Sequence, residues 1–482
     1  MDVARVNFSH GNYESYRQLL HSLDSAASQT GLRVAKLMDT RGPEIRIGTF
    51  ATEGGVVHLK AGDTFTFYSH HVEGDATQVT IMSWTLWSHV KVGDVLVLDY
   101  GTVYAKVTRV ATRAIETRIE NSATLGSRKH VVVREVNVLK GNTARPDGTV
   151  VTGAHPRGGE SVSSSSKFRT SLLSYKDTQD IAFAVKHDFD FIAVSYCAQA
   201  EDIDEVRSLP GVVESGVKLL AKIDTLAAIA ALPGLLRTAD GIMLCRSEIA
   251  LHMPIEQVST LQKSVIRACN IAGKPVVVIN HILYTMASNP SCTRSEASDV
   301  ANMVLDGADS LALTNPTATG LYGVNSLTAL RRICHEAECA AHAEQEYVLM
   351  REARDDIGEE YKLIHSLASS AVKTAYDVQS PVIIVFTESG SAATTVASYR
   401  PHCPVIAVTT SEKVARQLMI TRGIRPFVVG AMDRTDDVVE YIIEKLRNLK
   451  VVASGDIVVH SSGAIQQSEA FASHFLAVYL VN

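Results

Sequence analysis

Short β-branched and apolar runs alternate with amphipathic stretches through most of the chain, the pattern of parallel βα units. Residues 3–8, 33–39, 190–195, 218–223, 241–245, 275–280 and 310–314 read as seven such strands, with helices between most of them, such as 178–186 and 255–272. Residues 49–138 break the pattern. There, short alternating strands separated by Gly-Asp turns show no helical period, which predicts a small β-barrel inserted between two βα units. Residues 139–170 are rich in Gly, Pro, Ser and Thr, with a serine run at 163–166, and predict a flexible loop.

From about residue 345 a second α/β unit begins, with strands expected at 381–387, 404–409, 426–429, 456–460 and 476–480 in a mixed sheet. The expected domains are therefore a (β/α) barrel from 1–48 and 171–344, a β-barrel lid at 49–138, the 139–170 insert, and an α/β domain at 345–482. Seven strands point to an eight-stranded barrel lacking its first strand, because strand number, tilt and shear must agree for closure.

Composition narrows the function. A chain of 482 residues exceeds a single core, and 46% apolar with 20% charged residues is globular. A net charge of −6 gives no basic field for a phosphate backbone, so nucleic acid is not an expected partner. No run of 18 apolar residues occurs, so no membrane span is expected. The seven cysteines form no C-x-x-C pair and read as reduced thiols. No signal peptide is visible, and cytoplasm is the expected compartment.

In a βα barrel the chemistry gathers where strands end at their C-terminal side. The polar residues that stop the apolar runs are Arg5, Asn7, Ser9 and His10; Asp39 and Thr40; Lys222 and Asp224; Arg246 and Glu248; Asn280; and Thr314. Strand ends also meet water, so each position alone says little. As a set, the cations, acids and hydroxyls suit a metal-assisted reaction of an anionic substrate.

Three segments carry a family resemblance. Val3-Ala-Arg-Val-Asn-Phe-Ser-His-Gly11, Met38-Asp-Thr-Arg-Gly-Pro-Glu-Ile-Arg46 and Asp299-Val-Ala-Asn-Met-Val-Leu-Asp-Gly-Ala-Asp309 resemble pyruvate kinase segments in the same order. The resemblance continues through Tyr399-Arg-Pro-His-Cys-Pro404 and covers nearly the whole chain.

The resemblance implies transfer of a phosphoryl group from phosphoenolpyruvate to ADP, giving pyruvate and ATP, by a homotetramer. It implies that Arg5 binds the substrate phosphate and Lys222 neutralises charge on the enolate and the moving phosphoryl group. Asp224 and Glu248 would hold Mg2+ or Mn2+, and Asn7, Ser9, Asp39 and Thr40 would hold K+. His10, Arg46 and Lys129 would face the nucleotide, with Ser247 and Asn280 against the substrate. Thr387, Ser389 and Gly390 would belong to a sugar-phosphate effector loop. A plain strand-to-helix turn capped by Ser389 or Ser391 is the open alternative there.

Several positions depart from the family pattern. Asp224 and Glu248 exchange the family's Glu and Asp. Ser247 replaces a glycine, and its Cβ would crowd the approach of backbone N–H groups to substrate. Asn280 replaces a threonine whose hydroxyl belongs to the family's proton route, which an amide cannot relay. His281 and Tyr284 replace Gln and Glu, and 314–318 lose an acid. The family's first barrel strand is missing, which suggests a start assigned too far downstream or a truncated gene. Two readings stay open: an active pyruvate kinase, or a non-catalytic member with a regulatory or scaffold role.

Overall fold

The computed structural model describes residues 1–9, 11–81, 86–87, 90–134, 143–144, 150–151, 172–354, 359–432, 435–468 and 471–481. Seven parallel strands, Val3–Asn7, Ala35–Asp39, Phe191–Val194, Lys218–Ile223, Gly241–Cys245, Val276–Ile279 and Ser310–Ala312, pair in chain order into one curled sheet. They are the seven expected strands, shorter by one or two residues at half of their ends. The ladder runs from Val3–Asn7 at one edge to Ser310–Ala312 at the other, and these two strands are not paired with each other.

Strand side chains alternate between faces, and this alternation builds the site. One face of the sheet gathers Ala35, Leu37, Phe191, Ala193, Leu220, Met243, Cys245, Val277 and Ile279 into the barrel interior, with Val3 and Ala312 against them. Two positions further along, near or just past the ends of four of these strands, come Arg5, Asp39, Ser195 and Lys222, and Ser247 follows a fifth at the start of helix Arg246–His252. The apolar layer therefore ends in polar side chains at one mouth. The opposite face, including Val6, Met38, Ile192, Leu219, Ala221, Ile242 and Val278, packs under the surrounding helices.

The helices start where their caps dictate. Ser174 caps Tyr175–Lys186 in a reciprocal pair with Asp177, and Thr293 does the same with Glu296 for Arg294–Leu305.

The region expected as a small β-barrel is all-β, with a correction to its ladders. A six-stranded sheet (including Thr64–Tyr68, Val95–Leu98, Val103–Ala111 and Ala114–Ile119) and a two-stranded ladder (Val56–Leu59 with Ala123–Gly126) enclose one apolar core. Among the described residues the two do not join into a single closed ladder. The unit rests on the barrel through Val97 and Val132, which bury Leu251 of helix Arg246–His252. Most of the expected flexible loop at 139–170 lies outside the described residues; within it, Thr143–Ala144 pairs antiparallel with Val150–Val151.

The C-terminal sheet places Ile424–Val428, Val405–Thr409, Ile383–Phe386, Ile457–Ser468 and Phe471–Leu480 side by side, the last pair antiparallel. It is the mixed sheet that was expected. The two α/β units are joined by ion pairs: Arg416 to Asp190 (2.9 Å), Lys413 to Asp188 (2.7 Å), Arg33 to Glu412 (3.0 Å) and Arg400 to Asp309 (2.8 Å). Ile420 of the C-terminal unit is buried within the barrel's interior cluster, and Ser310 Oγ donates to its carbonyl (2.7 Å). The seven cysteines are all free thiols. Among the described residues, no helix is long and apolar enough to cross a membrane.

Candidate active site

At the barrel mouth, Asp39 is the hub. It is buried, and each of its oxygens meets a cation: Lys222 Nζ donates to Oδ1 (2.8 Å), and Arg5 Nε donates to Oδ2 (2.8 Å) with its Nη2 also in contact. Burial alone would raise the Asp39 carboxyl, but Lys222 and Arg5 together hold it below the usual carboxylate range. Burial likewise opposes the Lys222 ammonium, yet Asp39 outweighs it and holds the lysine charged, above its ordinary value. Lys222 also donates to Ser195 Oγ (2.8 Å), which donates to the Thr40 carbonyl (2.6 Å).

Beside this cationic pair lie two carboxylates in a different state. Asp224 is buried. Its Oδ2 accepts the Tyr196 backbone N–H (3.0 Å), while Oδ1 has no partner. Glu248 is half-buried as a residue, but its Oε2 is closed off and also has no partner. Burial pushes Asp224 up to about 6 and Glu248 up to about 7, with Lys222 working against both shifts. Two enclosed carboxylate oxygens without donors leave an electrostatic demand for a cation.

The donor set therefore fits a divalent metal ion. No group of three or more His, Cys, Asp or Glu side chains converges among the described residues. A Mg2+-type site needs no such group, because one or two carboxylates suffice when substrate oxygens and water complete the shell. The proposed K+ ligands are also oxygen donors on neighbouring strands. Asn7 is the register partner of Asp39, its Oδ1 accepts the Ser9 N–H (3.0 Å), and Thr40 Oγ1 accepts the Ser195 N–H (3.0 Å). Oxygen chemistry fits a hard monovalent cation, although both Asp39 oxygens already face side-chain cations.

Arg246, at the start of its helix, grips Asp299 with both nitrogens (Nη1 2.7 Å, Nη2 2.8 Å) and reaches the Asn280 carbonyl (3.3 Å). Asn280 takes a left-handed backbone (φ +74°), and its Nδ2 donates to the buried Ser247 Oγ (2.6 Å). The two positions that depart from the family pattern are thus in contact.

The other expected site residues fall in two places. Lys129 lies on the inserted unit, and Arg46, just before that unit begins, bridges to its His130. Arg46 is tied to Glu44 (2.7 Å) and to the Arg128 carbonyl (3.0 Å), and Lys129 to Asp99 (3.0 Å). His10 lies outside the described residues. Thr387, Ser389 and Gly390 sit in the C-terminal unit, away from the barrel mouth. There the Gly390 N–H is held by Thr387 Oγ1 (2.9 Å), and Ser389 pairs with Ser391 (3.0 Å) before a seven-residue helix.

Sequence reasoning passed over Ser195 and Tyr196. Alternation could have found Ser195, which follows Phe191 and Ala193 as Asp39 follows Ala35 and Leu37. Tyr196 acts through its main chain on Asp224 and through its phenol on His130 Nε2 (3.0 Å), and only the folded chain reveals that.

An α/β barrel with a mixed-charge mouth, two acids that each leave one enclosed oxygen without a donor, and an all-β unit resting on the helix that carries one of them define the class: a barrel protein that handles an anionic substrate beside a cation. Comparison with known proteins is specific. The chain matches the pyruvate kinase barrel domain over residues 1–155 and 161–327, and the pyruvate kinase alpha/beta domain over 365–472. It is 31% identical to a pyruvate kinase of Dictyostelium discoideum over 469 residues, covering 97% of this chain and 87% of that protein. It is also 31% identical to one of Staphylococcus aureus (strain USA300), covering 100% of this chain and 76% of that protein. A crystal structure of a pyruvate kinase from Cryptosporidium parvum superposes with a TM-score of 0.85 at 27% identity, covering 100% of this chain and 91% of that one. A second structure, the Cryptosporidium parvum enzyme in complex with ADP, gives 0.82 at 28% identity, covering 99% and 90%. The chain belongs to the pyruvate kinase family.

Proposed function

We propose that this chain is an active phosphotransferase that moves the phosphoryl group of phosphoenolpyruvate to ADP, yielding pyruvate and ATP. The observation that carries the reading is the contrast at the mouth: Lys222 and Arg5 paired with Asp39, next to Asp224 and Glu248, each with one unpartnered oxygen. Family membership supports the same reaction. The non-catalytic alternative gains no observation of its own.

In this reading Arg5 binds the substrate phosphate. Lys222, fixed by Asp39 and Ser195, presents its ammonium to the charge that develops as the phosphoryl group leaves the enolate oxygen. Such preorganised charge is the main contribution a protein makes to phosphoryl transfer. Asp224 and Glu248 would hold Mg2+ or Mn2+, and Asn7, Ser9, Asp39 and Thr40 would hold K+. When bound, these ions supply positive charge against phosphate and enolate oxygens. Ser247 and Asn280 border the substrate, and Arg46, Lys129 and His10 meet the nucleotide.

The domain division follows the sequence boundaries: a barrel from 1–48 and 171–344, a lid at 49–138, an insert at 139–170 and an α/β domain at 345–482. Exposed Leu321 and Val324, 85% and 81% accessible, fit a subunit contact on the barrel. The homotetramer and the cytoplasmic compartment belong to this reading through family membership alone. The role of Thr387, Ser389 and Gly390 in binding an effector belongs to the same reading.

The test is pyruvate formation by purified protein with phosphoenolpyruvate, ADP, Mg2+ or Mn2+ and K+. Pyruvate that depends on ADP and on Lys222 supports the assignment. A folded protein that makes none refutes it.

A further inference from the structure

The inserted unit and the barrel mouth meet in one residue. Tyr196 stands two places past the strand Phe191–Val194 and takes a left-handed backbone (φ +60°), which a bulky side chain keeps only when its surroundings fix it. Both ends of the residue are held. Its N–H donates to Asp224 Oδ2 (3.0 Å), and its phenol is hydrogen-bonded to His130 Nε2 (3.0 Å). Between these contacts the ring lies against Gly42, on the segment that leads from strand Ala35–Asp39 towards the inserted unit. A Cβ at Gly42 would come within 2.7 Å of Tyr196 Cδ2 and 3.0 Å of Ser195 Cβ, so the glycine leaves the ring its place.

His130 is buried on the far side of the contact, just before strand Val131–Arg134. Its main chain bridges antiparallel to Arg46, its carbonyl accepts the Asp99 N–H (3.1 Å), and it follows Lys129 directly. Arg46 and Lys129 are the residues assigned to the nucleotide. They are therefore held beside His130, while the His130 ring is held by the residue whose main chain fixes Asp224. Two hydrogen bonds through Tyr196 connect the nucleotide side of the site to the cation side.

We infer that Tyr196 is a positioning residue, a latch whose phenol seats His130, and with it Arg46 and Lys129, against the part of the barrel that carries Asp224. The inference rests on the reading of Arg46 and Lys129 as nucleotide residues. It assigns the two ends of Tyr196 different tasks. Removing the phenol oxygen leaves the Tyr196 N–H on Asp224, and leaves Arg5 and Lys222 on Asp39, so the damage should fall on ADP and spare phosphoenolpyruvate.

The experiment compares the full-length parent with Tyr196→Phe, His130→Ala, His130→Gln and the Tyr196→Phe/His130→Ala double variant, with circular dichroism melts confirming that each is folded. KM for ADP, KM for phosphoenolpyruvate and kcat are measured. Amide exchange over residues 130–133 is followed separately, without substrate or metal. Tyr196→Phe and His130→Ala should each raise KM for ADP by about 2–10-fold, the worth of one hydrogen bond, while KM for phosphoenolpyruvate stays near the parental value. Exchange over 130–133 should quicken in both. His130→Gln returns a side-chain nitrogen near the Nε2 position and should recover most of both effects. The double variant should be no worse than the weaker single variant, because both changes break one contact.

An active parent whose Tyr196→Phe variant keeps the parental KM for ADP, or the parental exchange, overturns the latch and leaves the reaction reading standing. Equal rises in both KM values, or strictly additive losses in the double variant, also overturn it. A folded parent that makes no pyruvate overturns the reaction reading and takes the inference with it.

Discussion

Lys222 and Asp39 stand 183 residues apart in the chain and are joined by a 2.8 Å hydrogen bond at the barrel mouth. Each is the residue that follows the apolar layer on its own strand. The contact therefore follows from strand register, since Ala193 pairs with both Asp39 and Leu220 across the sheet.

Lys222→Met should remove pyruvate formation by at least about 10²–10³-fold, the effect of losing one preorganised donor. Arg5 still compensates Asp39, so the fold should survive with a loss of about 1.5–3 kcal/mol, the scale of a hydrogen bond to a charged group. A coupled pyruvate assay beside a denaturant melt reads both quantities. A variant with near-parental turnover would remove Lys222 from the chemistry.

The pH response of the cation site has a definite sign. Asp224 and Glu248 are raised to about 6 and about 7, so the metal-free native state holds protons that the unfolded chain releases. Their contribution to stability is fully present below about 4, the unfolded carboxyl range, and declines as pH rises through 6 and 7. Mg2+ binding must displace those protons. The rise in melting temperature on adding Mg2+ should accordingly be small at pH 5.5 and larger at pH 7.5. Thermal melts with and without Mg2+ across that range check it, and an increment that shrinks with pH contradicts it.

Arg416 meets Asp190 with Nε at 2.9 and 3.1 Å from its two oxygens, and Asp190 also accepts the Lys36 N–H (2.8 Å). Burial raises the Asp190 carboxyl, and Arg416 offsets part of that rise. Arg416→Ala should strand a buried acid and lower stability by about 3–5 kcal/mol. Adding Asp190→Asn should recover part of the loss. Melting of the single and double variants gives the comparison, and equal melting of parent and Arg416→Ala would discount the pair.

Leu251 is buried between Val97 and Val132 and is the apolar link from the inserted unit to the helix that carries Ser247 and Glu248. Leu251→Ala should weaken that contact by about 2–4 kcal/mol. Amide exchange at Val97 and Val132 should quicken while the core strands of the C-terminal sheet stay protected. Unchanged exchange at both valines would mean that the contact holds nothing in place.

The sequence carried the fold well because the signals were local. Each of the seven barrel strands is a short, largely apolar segment bounded by polar or turn residues, and its alternation with helical stretches marks it as a strand. Asp39, Lys222, Asp224 and Glu248 were legible for the same reason, as polar residues ending apolar runs. Ser195 was equally placed but looked ordinary, because a hydroxyl declares its role only through its partners. The contact between Ser247 and Asn280 joins positions 33 residues apart, each just past the end of one of two neighbouring strands, and no local period encodes it. The inserted unit's two ladders were also hidden, since strand order in an antiparallel sheet depends on long-range pairing.

Ile420 belongs to the C-terminal unit in sequence but to the barrel in packing. The barrel thus borrows part of its stopper from a neighbour, and excising residues 345–482 would take a buried side chain out of the cluster that holds Ala35, Leu37, Phe191 and Val277. A barrel isolated at that boundary would be a vessel without a base, so the two units should be lost and regained together.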